Sequence, residues 1–357
     1  MMAKPPIDPS QFRRLAIMMP NWLGDAVMAE PSIRAIHLAA PSLQLSLFGK
    51  KAAVSMLEGH PAISSIAGID DKGFFGPLAC GQALRAADAD ALLLLRGSFR
   101  SGLGGVISRI RPRIGFARDG RRVMLTHPIR PPARTKPCPT VDFYATLVES
   151  AFGITVGNRL PRLTTTVNER EAASRLLDGV SGPIVGFVPG GSKLMKRWPA
   201  DRFAELARRL GSMAGTVVLF GGPDERDLLS ELKQKAGGGD GPRVIDLAAR
   251  GLSLESLRGA IERCSVLVTN DTGPRHLAVA LGIPTVALFG PTDHRWTTLC
   301  GARERILLGE PFLPEEQVAD RFPKMCRVDR IPVSDVLFAV RNTLLQPRDP
   351  KSVSSET

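Results

Sequence analysis

Polar and apolar positions alternate most clearly over residues 266–291, and the remaining pattern is best read outward from there. Apolar Val266-Leu267-Val268 breaks at the polar turn Thr269-Asn270-Asp271-Thr272-Gly273. A small apolar helix over 274–281 stops at Gly282, and 284–289 resumes as a β-rich run. Strand, turn, helix and strand in so few residues is the short form of a parallel βαβ unit. The same reading predicts strands at 15–19, 43–48 and 91–95, the last apolar on both faces, with helices at 26–38, 52–57 and 141–152. After a polar, Pro-containing stretch at 153–166 and a helix near 169–177, strands follow at 183–188, 216–220, 243–245 and 266–268. An edge strand is expected at 306–308 and an amphipathic helix at 333–345.

Two βαβ-rich halves imply an α/β chain of two Rossmann-like, doubly wound domains facing each other across a cleft. The expected division is an N-terminal domain over 12–160, a linker over 161–180 and a C-terminal domain over 181–330. A C-terminal helix over 331–346, packing back across the cleft, and a disordered polar tail over 347–357 complete it. The length of 357 residues suits two domains. With 43% hydrophobic residues and a mean hydropathy of +0.01, there is material for two cores. No apolar run approaches the roughly 18–20 residues of a membrane span. Residues 1–10 carry one Lys and no apolar core, unlike a signal peptide. Cys80, Cys138, Cys264, Cys300 and Cys326 are odd in number, scattered and without a CxxC pair, which argues for reduced thiols in a cytosolic protein and against a zinc site.

Ligands of parallel sheets sit at the carboxyl ends of the strands, which is where Asp271, Thr272 and Gly273 fall. The free N–H groups and positive dipole end of the following helix suit a pyrophosphate, so a nucleotide-type ligand is one reading. A plain N-capped helix is the other, with Asp271 or Thr272 as cap and Pro274 in the first helical position. His276 lies one turn after Thr272, a polar side chain aimed at the helix start within an otherwise apolar helix.

Other stretches offer chemistry of the same kind. Asp25 stands at the start of the first helix, either as its cap or as a general base. A helix N-terminus lowers a carboxylate's pKa and weakens it as a base, an effect that burial beside Trp22 would offset. Pro189-Gly190-Gly191-Ser192 follows a strand, where a Gly-rich turn lets N–H groups approach a phosphate, and Lys196 is near enough to add a charge. Asp201 reads as a helix cap and Trp198 as packing. Gly221-Gly222-Pro223-Asp224-Glu225 follows another strand, where Glu225 either accepts from ribose hydroxyls or complements the helix dipole. His294 and Arg295 follow a turn and would close over the cleft. Asp88-Ala89-Asp90 spells DxD but precedes a strand, so it reads as a solvated helix end and no metal is assigned. Gly102-Leu103-Gly104-Gly105 lacks the spacing of a dinucleotide fingerprint.

Charge is concentrated in one segment. Residues 91–140 hold Arg96, Arg100, Arg109, Arg111, Arg113, Arg118, Arg121, Arg122, Arg130, Arg134 and Lys136 against the single acid Asp119, a surplus of ten beside +12 for the whole chain. Three readings compete: a solvated face, which normally interleaves both signs; nucleic acid; and an acidic acceptor at a membrane surface. Aromatics are only 5%, Tyr144 is the sole tyrosine, and no nucleic-acid motif spacing is present, so nucleic acid is the weakest of the three and the acidic acceptor the preferred one.

Asn270-Asp271-Thr272-Gly273-Pro274-Arg275-His276, followed by Ala278, Ala280-Leu281-Gly282, Pro284 and Phe289-Gly290-Pro291-Thr292, resembles the C-terminal signature of the glycosyltransferase family 9 heptosyltransferases. Three further stretches match in order: Met19-Pro20-Asn21-Trp22-Leu23-Gly24-Asp25-Ala26-Val27-Met28, Arg96-Gly97-Ser98-Phe99-Arg100-Ser101, and Pro189 to Ser192 with Lys196-Arg197-Trp198-Pro199. They are nearest to the heptosyltransferase II branch and together span roughly residues 14–300. The resemblance implies a GT-B fold and an inverting, metal-independent transferase without cofactor. It would move heptose from ADP-L-glycero-D-manno-heptose to the inner core of lipopolysaccharide. Asp25 is implied as catalytic base, with Ser192, Lys196, Glu225, Asp271, Thr272, Gly273 and His276 at the donor and Asn21, Gly24, Ser98 and Arg100 at the acceptor. The implied partners are ADP-heptose, an anionic lipid A and inner-core acceptor, and the inner-membrane surface met by the basic N-terminal domain, with no nucleic acid. The implied location is cytoplasmic, peripheral on the inner membrane. Gly273-Pro274-Arg275-His276 and Gly190-Gly191-Ser192-Lys193 depart from the family pattern on the donor side. The alternatives are therefore a family member with another nucleotide sugar or acceptor, or a non-catalytic nucleotide-sugar-binding protein at the inner membrane.

Overall fold

The computed structural model describes residues 5–133, 137–237, 241–309 and 324–346. The expected disordered tail at 347–357, and Arg134 and Lys136 of the basic segment, lie outside the described residues. The chain divides into two compact units. The first comprises the described residues up to Thr164 together with Arg295–Cys300, and the second the described residues of Thr165–His294 and those that follow Gly301.

In the first unit six strands, β1 (Arg14–Met18), β2 (Gln44–Gly49), β3 (Ser65–Gly68), β4 (Ala91–Leu94), β5 (Arg113–Phe116) and β6 (His127–Ile129), form one sheet in the order β3-β2-β1-β4-β5-β6. All of its pairings are parallel, with Ile17 opposite Leu47 on one side and Leu93 on the other. The helices are α1 (Leu23–Met28), α2 (Glu30–Ala39), α3 (Lys51–Val54), α4 (Gly76–Ala86), α5 (Phe99–Ser108) and α6 (Thr140–Phe152). β1 and β4 are buried along nearly their whole length, as expected of parallel strands covered on both faces. The hydropathy pattern does not predict β3, β5 or β6: each is three or four residues long and opens on Ser, Arg or His.

The helix expected over 26–38 is two helices. Pro31, in the first turn of α2, has no N–H to donate and its ring clashes with the preceding turn, so α1 closes at Met28 and α2 starts afresh at Glu30. α1 itself begins earlier than expected, and its cap position belongs to Trp22. Asp25 is therefore not the cap: it lies within the first turn.

The second unit repeats the plan. Its strands are β7 (Ile184–Val188), β8 (Thr216–Leu219), β9 (Arg243–Asp246), β10 (Val266–Asn270), β11 (Thr285–Phe289) and β12 (Glu304–Leu308), parallel throughout in the order β12-β11-β10-β7-β8-β9. Its helices are α7 (Val167–Leu176), α8 (Ala200–Leu210), α9 (Arg226–Ala236), α10 (Leu254–Glu262), α11 (Gly273–Ala280) and α12 (Val333–Leu345). α7 opens with a capping box between Thr166 and Glu169, and Glu169 also takes both ends of the buried Arg258 guanidinium. α12 buries Val336, Ala339 and Val340 in this unit's own core, alongside Trp198 and Phe203. Trp198 packs edge-to-face on Phe203 at 4.9 Å, and its indole N–H donates to the Ile331 carbonyl at 3.0 Å, which confirms it as a packing residue. Asp201 is a first-turn residue rather than a cap, paired with Lys235 at 2.6 Å. Among the described residues no helix is long and apolar enough to cross a membrane.

Candidate functional site

In a parallel sheet every strand delivers its following loop to the same edge. In the second unit the carboxyl edge therefore collects residues 189–199 after β7, 220–225 after β8 and 271–276 after β10. Side chains then tie these loops together. Asn270, the last residue of β10 and fully buried, accepts from Trp198 N–H at 3.0 Å and donates to the carbonyls of Pro189 and Gly190 at 2.8 and 3.1 Å. One amide thus satisfies three backbone groups of the β7 loop. Glu225 bridges the other pair of loops: one carboxylate oxygen accepts from Gly191 N–H and the other from Gly222 N–H, both at 2.9 Å. A Cβ on Gly190 would overlap the Glu225 carboxylate, so only glycine permits this approach. Arg197 donates twice to the Gly191 carbonyl.

α11 opens on Thr272, in extended conformation, without a side-chain cap. The Thr272 cap of the plain N-capped reading is absent, because the Thr272 hydroxyl turns back to Thr269 Oγ1 at 3.2 Å and the Asn270 carbonyl at 3.3 Å. Gly273 takes the first helical position and Pro274 the second. Asp271 instead meets Lys196, Oδ2 to Nζ 3.1 Å. The second Asp271 oxygen lies 3.9 Å from Arg275, which is itself fully buried, paired through two 2.6 Å bonds with Glu304 of β12 and stacked 4.8 Å over the Phe289 ring. Burial, and then the Arg275 charge, hold the His276 imidazole well below its usual pKa. His276 is thus a neutral ring with Nδ1 unpartnered among the described residues. Ser192 is exposed on the 189–199 loop. The structure thus brings Lys196, Glu225, Asp271, Thr272, Gly273 and His276 to one sheet edge around an uncapped helix start. The roles of Asn270, Arg275 and Glu304 are not legible from sequence, because their partners are too distant in the chain for local pattern to reveal.

In the first unit Asn21, Gly24 and Asp25 occupy the loop after β1 and the first turns of α1. Asn21 Oδ1 is buried without a hydrogen-bond partner among the described residues. Trp22, beside which burial of Asp25 would have offset the helix effect on its carboxyl, is itself 71% exposed. After β4, Ser98 caps α5 by accepting from Ser101 N–H at 3.2 Å. Arg100 donates to the carbonyls of Asp71 and Gly73, and Arg96 pairs with the Asp71 carboxylate. These residues share the carboxyl edge of the first sheet.

The basic segment is not one surface. Arg121 is fully buried, donating to the carbonyls of Phe116 and Arg96, and burial followed by the Arg118 charge pushes its pKa down to about 10. Arg113 is buried too, bonded to the Met124 and Ile110 carbonyls. Both serve as internal struts. In the DxD stretch, Asp88 pairs with Arg14 and Asp90 accepts from the N–H groups of Arg13 and Arg14, so both carboxylates tie down the start of β1.

Comparison with known proteins bears on this geometry. Residues 78–325 match the profile described as glycosyltransferase family 9 (heptosyltransferase). Over 300 residues the chain is 26% identical to the lipooligosaccharide heptosyltransferase 2 of Haemophilus ducreyi, covering 80% of this chain and 85% of that one. A crystal structure of a family 9 glycosyl transferase from Veillonella parvula superposes with a TM-score of 0.84 at 22% identity, covering 97% of this chain and all of that one. The structure of the Escherichia coli ADP-heptose lipopolysaccharide heptosyltransferase II superposes with a TM-score of 0.79 at 24% identity, over 93% and 99% of the two chains. The two parallel six-stranded units are thus those of the GT-B fold expected from the sequence.

Proposed function

The chain belongs to glycosyltransferase family 9, and from that premise we propose that it is a heptosyltransferase of the second type, which moves heptose from an ADP-heptose donor to the inner core of lipopolysaccharide. The observation that carries the donor half of this reading is the uncapped start of α11 beside the Lys196–Asp271 pair. The positive dipole end of a helix that its N-cap side chain does not cap, beside a lysine, suits the diphosphate of a nucleotide sugar. Lys196 would exchange Asp271 for diphosphate oxygens, and together with the helix dipole would stabilise the charge that develops on departing ADP. On this reading no metal is required for the transfer. Ser192, Thr272, Gly273 and neutral His276 line the same edge, and Glu225 holds two of its loops. Asp25, in the first unit, is the proposed base that takes the proton from the acceptor hydroxyl as it attacks the anomeric carbon from the face opposite ADP, with inversion. Asn21, Gly24, Ser98 and Arg100 are the proposed acceptor residues. The acceptor is anionic, and its lipid portion brings the enzyme to the cytoplasmic face of the inner membrane.

The test is calorimetry of ADP, UDP, GDP and ADP-heptose on protein stripped with EDTA, followed by turnover with ADP-heptose. Adenine-selective binding, with turnover unaffected by EDTA and abolished in Asp25→Ala at nearly unchanged ADP affinity, is expected. A preference for UDP or GDP would overturn the donor, and surviving turnover in Asp25→Ala would overturn the base.

A further inference from the structure

On the carboxyl edge of the first sheet, three loops that the donor chemistry does not use come together. The segment after β3 is tied to α5, since Arg100 donates to the carbonyls of Asp71 and Gly73. α5 in turn packs against the short helical turn Arg121–Met124: a Cβ on Gly102 would meet the Met124 sulfur at 2.9 Å, and one on Gly120 would meet the Phe99 ring at 3.8 Å. The surface these loops share is unusually apolar for solvent. Phe74 and Phe75 are 88% and 72% exposed, stacked edge-to-face on one another at 5.3 Å, with Phe99 half-exposed and Val123 87% exposed. Large apolar side chains clustered in water mark an interaction surface.

The charge around them indicates what covers it. Lys72, Arg100 and Arg122 are exposed on the same three loops. The bonds of Arg100 to this rim run to carbonyl oxygens, so they leave its charge uncompensated. The exposed acids of the rim are Asp70 and Asp119, the latter paired with Arg118. Apolar side chains that reach outward from a basic rim match a bilayer interface, where the chains enter the acyl boundary and the cations meet anionic headgroups. We propose that Phe74, Phe75, Phe99 and Val123, ringed by Lys72, Arg100 and Arg122, form a membrane-insertion patch for anionic lipid. The patch lies on the sheet edge that carries Asp25, so an acceptor anchored in the bilayer would be presented to the edge that bears the proposed base. This deepens the membrane reading above, and replaces the basic segment as a whole with an apolar anchor and a few cations.

The experiment uses vesicles of phosphatidylethanolamine and phosphatidylglycerol that contain no acceptor, with the full chain in co-sedimentation. The wild type is expected to bind, and Phe74→Ser/Phe75→Ser to lose about tenfold or more of its partitioning, with unchanged circular dichroism and ADP affinity. In a Phe74→Trp variant the introduced indole is expected to shift its emission to the blue and to be quenched by acyl-brominated lipid. Binding by the double serine variant equal to wild type, or an introduced indole that brominated lipid leaves unquenched, would overturn the patch, and salt-sensitive binding in that case would leave only the electrostatic reading. Self-association lost in the serine variant, without vesicle binding, would assign the surface to a second copy instead. Vesicle binding does not depend on turnover, so failure of the transferase reading leaves this result intact.

Discussion

Lys196 and Asp271, 75 residues apart in the chain, meet with Nζ 3.1 Å from Oδ2 at the start of α11. Both are largely shielded, at 20% and 11% exposure, so the pair feels less solvent screening than a surface ion pair. It sets a lysine beside a helix start that the Thr272 side chain does not cap.

Lys196→Gln is expected to lower kcat by about 10²-fold, the usual loss when one stabiliser of developing negative charge is removed. Stability should change by no more than about 1 kcal/mol, since the pair is not fully buried. Steady-state kinetics with ADP-heptose and urea unfolding of the same preparation separate the two effects. A variant with full kcat would remove Lys196 from the donor site.

Arg275 and Glu304 behave differently, because the guanidinium is fully buried and held by two 2.6 Å bonds. Glu304→Gln removes its close counter-ion and leaves that charge facing the Asp271 carboxylate at 3.9 Å, and a loss of about 3 kcal/mol is expected in denaturant unfolding. Replacing both residues by methionine should recover most of that stability. Donor affinity should stay reduced, since Arg275 also faces Asp271.

Asn270→Asp tests the staple between loops. The mutant side chain still accepts from Trp198 N–H, but its second oxygen would face the carbonyls of Pro189 and Gly190, both of which now receive an amide N–H. Two acceptors lose their donor and a carboxylate is buried against them, so a loss of about 2–4 kcal/mol is expected. The measurement is the urea midpoint, and a midpoint equal to wild type would contradict this hydrogen-bond pattern.

His276 makes stability depend on pH. Burial, and then the Arg275 charge, hold its folded pKa well below the usual value of about 6.5. Below that value the unfolded chain binds a proton that the folded chain refuses. Its contribution is therefore fully present above about pH 6.5 and is lost as pH falls toward the folded pKa, at about 1.4 kcal/mol per pH unit. His276→Gln should flatten the difference in unfolding free energy between pH 7 and pH 5, relative to wild type.

Much of the architecture follows from local pattern. The βαβ grammar of 266–289 needs only apolar runs of the right length, a polar turn and a glycine stop, and β10, α11 and β11 fall where that grammar puts them. Because parallel strands deliver their loops to one edge, chain order alone assigns Asp271, Lys196 and Glu225 to the same side of one sheet. The split between α1 and α2 is also written locally, in Pro31, but the apolar periodicity running through it points to a single helix. The short strands β3, β5 and β6 carry too few apolar residues for their period to register, and neighbouring strands define them.

Fold class, the order of the loops and the residue types available at each strand end are legible along the chain, because period and turn chemistry act over a few residues. Which groups are spoken for is set by the folded arrangement. It gave Glu225 to the N–H groups of Gly191 and Gly222, Asn270 to the β7 loop and Arg275 to Glu304. It also took Arg113 and Arg121 out of an otherwise basic surface and left Phe74 and Phe75 standing in solvent. Burial and hydrogen-bond partnership are properties of packing between distant segments, and a charge counted along the chain does not reveal whether it faces water, a carbonyl or a ligand.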